Sequence, residues 1–185
     1  MTTTTETLFS PLNRQTAPQA AVPALDAVQS KFGFVPNLIG TLANAPEVLN
    51  SYLALDEQFA QSGFSPAERQ IILLTVSVEN ECPYCVAAHS TILKNQLKVS
   101  AELVAQIRNG DPVTQSPENA LVTLVREVVY QRGHVSEETV DQFLAAGYQK
   151  SQLLGLLVGV AMKTITNYMD HLSPVEIEEV FAAEK

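Results

Sequence analysis

From about Ala24 onward, the apolar residues of this chain recur at helical spacing almost without interruption. Leu25, Val28 and Phe32 mark one face of a first helix that Gly33 ends, and after the turn Phe34-Val35-Pro36-Asn37, Leu38, Ile39 and Leu42 mark a short second one. Val48, Leu49, Tyr52, Leu53, Leu55 and Phe59 then make a broad stripe that closes at Gly63. Ser65-Pro66-Ala67-Glu68 is a capping-box sequence, with proline in the first turn where its missing N–H costs nothing. The helix it opens, about 66–79, is apolar on nearly every side through Ile71, Ile72, Leu73, Leu74, Val76 and Val78, and so belongs to the core. Pro83 suits the first position of a helix running to about Leu97, which places Cys82 at its N-cap. Further helices are expected over 101–108, 117–131, 137–146, 149–167 and 174–183, the last opened by a second capping box, Ser173-Pro174-Val175-Glu176. No strand-period segment competes. The expectation is one all-α domain of about seven to nine helices over 24–185, preceded by a Thr- and Pro-rich arm over 1–23, flexible or laid out as a strap.

Composition narrows the classes of partner. With 20 acidic against 11 basic residues, a net charge of −9 argues against nucleic acid and anionic membranes, whose phosphates are bound by clustered Lys and Arg. The longest apolar run, Leu153 to Met162, is about half of the ~20 residues a membrane span requires, and reads as a buried helix. Met1 to Glu6 is mostly Thr and carries no apolar run after a basic start, so no secretory signal and a cytoplasmic location are expected. The leucines at 153, 154, 156 and 157, with Val160, form a stripe broad for one small domain and point to a homo-oligomer.

Chemistry concentrates in Glu79-Asn80-Glu81-Cys82-Pro83-Tyr84-Cys85-Val86-Ala87-Ala88-His89, which holds both cysteines, one of three histidines and two carboxylates. Under reducing conditions a CxxC reads as a redox pair or as half of a zinc site. A helix starting at Pro83 sets both sulfurs at the positive end of its dipole, which favours thiolate over thiol. His89 lies four residues after Cys85, on the same helix face, and can move a proton. Among the carboxylates Glu79 ranks first for an acid/base role, because a charge in an otherwise apolar helix needs a partner. Glu68 is accounted for by the capping box and Glu81 by solvent. Tyr84 lies between the cysteines and can shape access; His134 reads as a loop residue; His171, with Asn167 and Asp170 on the last long helix, could line a neighbouring subunit's site. The zinc reading takes Cys82, Cys85, His89 and Glu79 as a tetrahedral set, although no second Cys/His pair accompanies them. A third reading is a helical assembly subunit whose thiols only sense redox state. No Gly-rich loop follows a strand, so no nucleotide, haem or flavin cofactor is expected.

Ser65-Pro66-Ala67-Glu68-Arg69, Val76-Ser77-Val78-Glu79-Asn80 and Cys82-Pro83-Tyr84-Cys85-Val86-Ala87-Ala88-His89-Ser90 together resemble the core of the alkylhydroperoxidase D-like (AhpD-like) branch of the carboxymuconolactone decarboxylase superfamily. The likeness extends more weakly over Phe32 to Leu38 and Asn167 to His171. It implies an all-helical fold, trimers or hexamers, and reduction of a hydroperoxide by a dithiol that a dithiol or protein reductant then restores. By the same resemblance Cys85 attacks the peroxide, Cys82 resolves the sulfenic acid as a disulfide, and His89 belongs to the proton relay. The relay glutamate of the family is expected twelve residues before the first cysteine, where this chain has Gln70. Glu79 is the candidate substitute. The decarboxylases of the superfamily lack this CxxC centre, which argues against lactone decarboxylation.

Overall fold

The computed structural model describes residues 7–185, and over these the chain is all-helical. Nine α-helices follow one another: α1 Val22–Phe32, α2 Asn37–Leu42, α3 Pro46–Phe59, α4 Pro66–Glu79, α5 Pro83–Thr91, α6 Ala101–Arg108, α7 Glu118–Tyr130, α8 Glu137–Ala145 and α9 Lys150–Leu172. Short 3₁₀ turns at Gln19–Ala21 and Glu179–Glu184 flank them. The capping box at Ser65 forms as read, the Ser65 hydroxyl accepting from Glu68 N–H and the Glu68 carboxylate accepting from Ser65 N–H at 2.7 Å. Gly33 ends α1 with φ +82°, a conformation in which a side chain would be strained.

Helix α4 divides two buried apolar clusters. On one side Ile71, Leu74, Leu121, Leu124, Val125 and Phe143 join α4 to α6, α7 and α8. On the other, Leu25, Val28, Leu38, Leu42 and Leu49 gather around the start of α5, and Cys82, Tyr84 and Cys85 belong to that cluster. Helix α9 packs along α3 and α4 beside both, and Gly159 permits the approach: a Cβ there would lie 2.8 Å from the Phe59 ring.

Three expectations need correction. The helix expected over 83–97 is α only to Thr91 and continues as a π-helical turn, Ile92–Gln96. Helix α9 runs five residues past Asn167, because Asp170 carries on its buried polar face. The capping box and helix at 174–183 do not form, since their donors and acceptors are taken elsewhere. Ser173 Oγ accepts from Phe9 N–H at 3.0 Å, and Val175 N–H goes to Asp170 Oδ1 at 2.9 Å. The residues from Pro174 on are an irregular tail ending in the 3₁₀ turn.

Over residues 7–18 the N-terminal arm takes its strap form. Leu12 N–H donates to Gly40 O at 2.9 Å, and a Cβ at Gly40 would lie 2.7 Å from Leu12 O, so glycine is what lets the strap lie against α2. Residues 1–6, on which the absence of a secretory signal was read, lie outside the described residues. Among the described residues no helix is long and apolar enough to cross a membrane.

Candidate active site

The junction of α4 and α5 is a tight backbone device. Glu81 N–H bonds to Val78 O and Cys82 N–H to Ser77 O, the paired bonds of a Schellman motif, with Glu81 in the left-handed position at φ +54°. Glycine is the usual residue there, so a glutamate stores backbone strain one residue before the first cysteine. Its own side chain is exposed, as expected. The motif turns the chain straight into α5, with Cys82 as the N-cap and Cys85 in the first turn. Both are free thiols, 0% and 1% exposed.

Helix α9 supplies the remaining side chains of the site. Lys163, Thr166, Asn167 and Asp170 recur at three- and four-residue steps along one face and are all buried. The Cys82 thiol donates to Asp170 Oδ2 at 3.3 Å, and the Cys85 sulfur lies 4.0 Å from Thr166 Oγ1. Lys163 Nζ is 3.0 Å from His89 Nε2, and its charge acts on Cys85. An ammonium has no acceptor, so His89 Nε2 must accept, and Nδ1 carries the ring proton and donates it to Gln70 Oε1 at 2.8 Å. Asn167 extends the cluster to Asn80 and Ser77.

These contacts set the ionisation of the pair in opposite directions. Burial pushes the Cys85 thiol up, but the neighbouring Cys82 and the charge of Lys163 outweigh it and lower it to about 6. Cys82 is driven far above the ordinary thiol range, first by its interaction with Cys85 and then by burial, with Asp170 adding to the effect. Burial, then the adjacent Lys163, hold His89 well below its usual value, so the imidazole is neutral. A buried ammonium requires a counter-charge, and the Cys85 thiolate, on which Lys163 acts, provides one.

Of the expected site residues, the structure brings Cys82, Cys85 and His89 together and leaves Glu79 outside. Gln70 and Glu79 are nine residues apart, about half a turn around α4 at 3.6 residues per turn, so they face opposite ways. Glu79 Oε1 lies 3.5 Å from Arg126 Nε on α7 and makes no hydrogen bond to the cysteines or His89 among the described residues. The zinc tetrad is therefore not assembled, and Lys163 occupies the Nε2 side of His89. Tyr84 is buried and donates to Glu178 Oε1 at 2.9 Å. His134 is exposed in the turn after α7; His171, also exposed, donates to Glu81 O at 3.3 Å. Lys163 and Thr166 were missed, and Asp170, read with Asn167 and His171 as lining a neighbouring subunit's site, lies against Cys82 of its own chain. The signal for them was a polar stripe at helical spacing inside an apolar run.

Known proteins share the fold that carries these residues. Residues 46–127 match the carboxymuconolactone decarboxylase family, and the chain has the AhpD-like fold. The resemblance read around the CxxC segment holds at both levels. A peroxidase-related protein from Ralstonia eutropha, described as an alkylhydroperoxidase AhpD core, is 23% identical with a TM-score of 0.81 over 94% of each chain. The debrominase Bmp8 is 21% identical with a TM-score of 0.78 over 97% of this chain and 96% of its own, and a variant of it is known in complex with 2,3,4-tribromopyrrole. A peroxidase-related protein from a Silicibacter species is 19% identical, with a TM-score of 0.77 over 98% of both chains. No curated protein matches the chain.

Proposed function

We propose that the protein is a thiol-dependent peroxidase that reduces organic hydroperoxides through the Cys82–Cys85 pair. The observation that carries this reading is a buried Cys82–Cys85 pair at the start of α5, with Asp170 on Cys82 and the Lys163–His89–Gln70 chain beside it, an arrangement that favours the thiolate at Cys85 and the thiol at Cys82. Cys85 S⁻ attacks the outer peroxide oxygen. The O–O bond breaks, Cys85 becomes a sulfenic acid, and the alkoxide leaves with a proton from Lys163, giving an alcohol. His89 holds one Lys163 N–H and leaves the others free for sulfur and oxygen, while Gln70 fixes the His89 tautomer. Cys82 then attacks the Cys85 sulfur, its proton leaves with the hydroxide as water, and the disulfide forms. A dithiol or protein reductant returns two electrons and two protons. In this relay Lys163 stands where Glu79 was expected.

The neighbouring debrominase prompts a second reading, favoured by the aromatic side chains of Tyr84, Phe34 and Phe181 packed beside the dithiol. The Cys85 thiolate would take a halogen from an electron-rich ring, the ring carbon would take a proton, and Cys82 would expel halide as the disulfide forms. The deciding experiment incubates the reduced protein with cumene hydroperoxide and, separately, with 2,3,4-tribromopyrrole. Mass spectrometry then follows the disulfide, and alcohol and bromide are quantified. Stoichiometric alcohol with loss of two hydrogens from the protein is expected; bromide release without peroxide consumption would replace the first reading by the second. Because Cys85 deprotonates at about 6, the thiolate fraction and the rate should rise with pH through that value and level off above it.

The reading includes a homo-oligomer, trimer or hexamer. Within the leucine stripe Leu156 is buried in the core, whereas Leu154 and Leu157 are exposed, and Tyr168 and Leu172 extend the same uncovered face of α9. Light scattering at micromolar concentration should give a multiple of the 20.1 kDa chain mass.

A further inference from the structure

Asp170 touches two things that have no other direct link. Its Oδ2 accepts the Cys82 S–H at 3.3 Å, and its Oδ1 accepts the Val175 N–H at 2.9 Å, the first backbone donor of the C-terminal tail. The tail then crosses the start of α5. Glu178 Oε1 accepts from Tyr84 Oη, the residue between the cysteines, and from Asn37 N–H, while its other oxygen is buried without a partner. Phe181, itself buried, packs edge-on against Tyr84 with ring centroids 6.1 Å apart. Glu184 pins the end of the tail to Lys94 and Arg108.

Resting on the dithiol reading above, we propose that Asp170 is a positioning residue that couples the oxidation state of the pair to this tail. Disulfide formation loosens residues 174–185 and opens the site to a protein dithiol reductant. When the Cys82–Cys85 bond forms, the Cys82 thiol hydrogen leaves in the water, the second proton has come from Lys163, and two electrons have passed to the hydroperoxide. Asp170 Oδ2 then has lost the one hydrogen-bond donor it has among the described residues. A buried carboxylate oxygen without a donor is unfavourable, and reaching water relieves it. The covering nearest to it is the tail at Val175, held by the other oxygen of the same carboxylate. Access requires the same movement. A reducing thiolate must approach a sulfur along the S–S axis, and neither sulfur is exposed while the tail is closed. Release of the tail also takes Glu178 and Phe181 off Tyr84.

Hydrogen exchange of the full-length chain tests this, comparing protein reduced with dithiothreitol and protein oxidised with diamide, which makes the disulfide without any peroxide. Amides in 174–185 should exchange roughly tenfold faster or more in the disulfide form, with 118–130 unchanged. Two variants separate the coupling from oxidation itself. Cys82→Ala removes the donor and should loosen the tail in reducing buffer, whereas Cys82→Ser keeps an O–H donor and should leave it protected. Equal tail protection in the two oxidation states, with the disulfide verified by mass, would overturn the coupling and leave the peroxidase reading standing. A protected tail in Cys82→Ala would overturn it as well. Failure of diamide to form the disulfide would sink both ideas.

Discussion

The two faces of α4 are both covered by neighbouring helices and differ in almost everything else. Toward α6 and α7 the helix meets a cluster that includes Leu121, Leu124 and Phe143, apolar except for the buried Tyr148 hydroxyl. Toward α5 and α9 it presents Gln70, joined through His89 to Lys163, and Ser77, joined to Asn167, two short polar chains beside the dithiol. The apolar face is held by area removed from water and fails by cavity formation. On the polar face each buried group depends on a named partner, and removing one leaves the other unsatisfied. Stability and chemistry should therefore be separable by mutation across a single helix.

The largest expected effects test that separation directly. Lys163→Met should slow peroxide consumption by a factor on the order of 10² or more. It should also move the Cys85 midpoint upward from about 6, read by ultraviolet thiolate absorbance. The sign follows from the loss of the cation that favours the thiolate. Burial then acts unopposed except by Cys82. Phe143→Ala, in the opposite core and stacked on Tyr148 with ring centroids 4.4 Å apart, should cost ~3–5 kcal/mol in urea unfolding. The thiolate titration should stay where it was. If Phe143→Ala shifts the titration, or Lys163→Met leaves it in place, the two faces are not independent.

How much of this was legible in the sequence divides along the same line. Periodicity located all nine helices, with the ends of α5 and α9 misplaced, because a helix in a layered apolar core must repeat its buried face. The Ser65 box was read correctly because its partners are local, three residues apart. The Ser173 box was misread because Phe9, far away in sequence, took the same serine hydroxyl. Local spacing also sufficed for Cys82, Cys85 and His89, whereas Lys163 and Asp170 meet them only through the packing of α9. Glu79 was chosen by chemistry alone, and counting residues around α4 would have placed it opposite Gln70.

A smaller effect is expected from Gln70→Glu, which restores a carboxylate on the site-facing side. The carboxylate accepts the His89 Nδ1–H and favours imidazolium, so the His89 ring should become titratable by nuclear magnetic resonance where the parent ring stays neutral. The rate should change by roughly tenfold at most, since Lys163 already provides the proton. A ring that remains neutral at every pH where the variant is folded would show that Lys163, rather than the residue at 70, governs His89.

The smallest effect should come from Glu79→Gln, and it is the sharpest probe of the division. Burial raises the pKa of Glu79 and Arg126 opposes that shift, so at neutral pH its charge is balanced locally on the far side of the helix from the dithiol. Both side chains of the pair retain about a fifth of their exposure, 23% for Glu79 and 22% for Arg126, and such pairs contribute ~0–1 kcal/mol. The glutamine variant loses that attraction but no longer desolvates a carboxylate, so its stability should change by less than about 1 kcal/mol. Peroxide consumption and the Cys85 midpoint should match the parent within experimental error, because no hydrogen bond connects residue 79 to the relay. A rate loss on the order of 10² with unchanged stability would return Glu79 to the proton path. It would require a rearrangement of α4 against α5 during turnover, since the resting helix turns that carboxylate away.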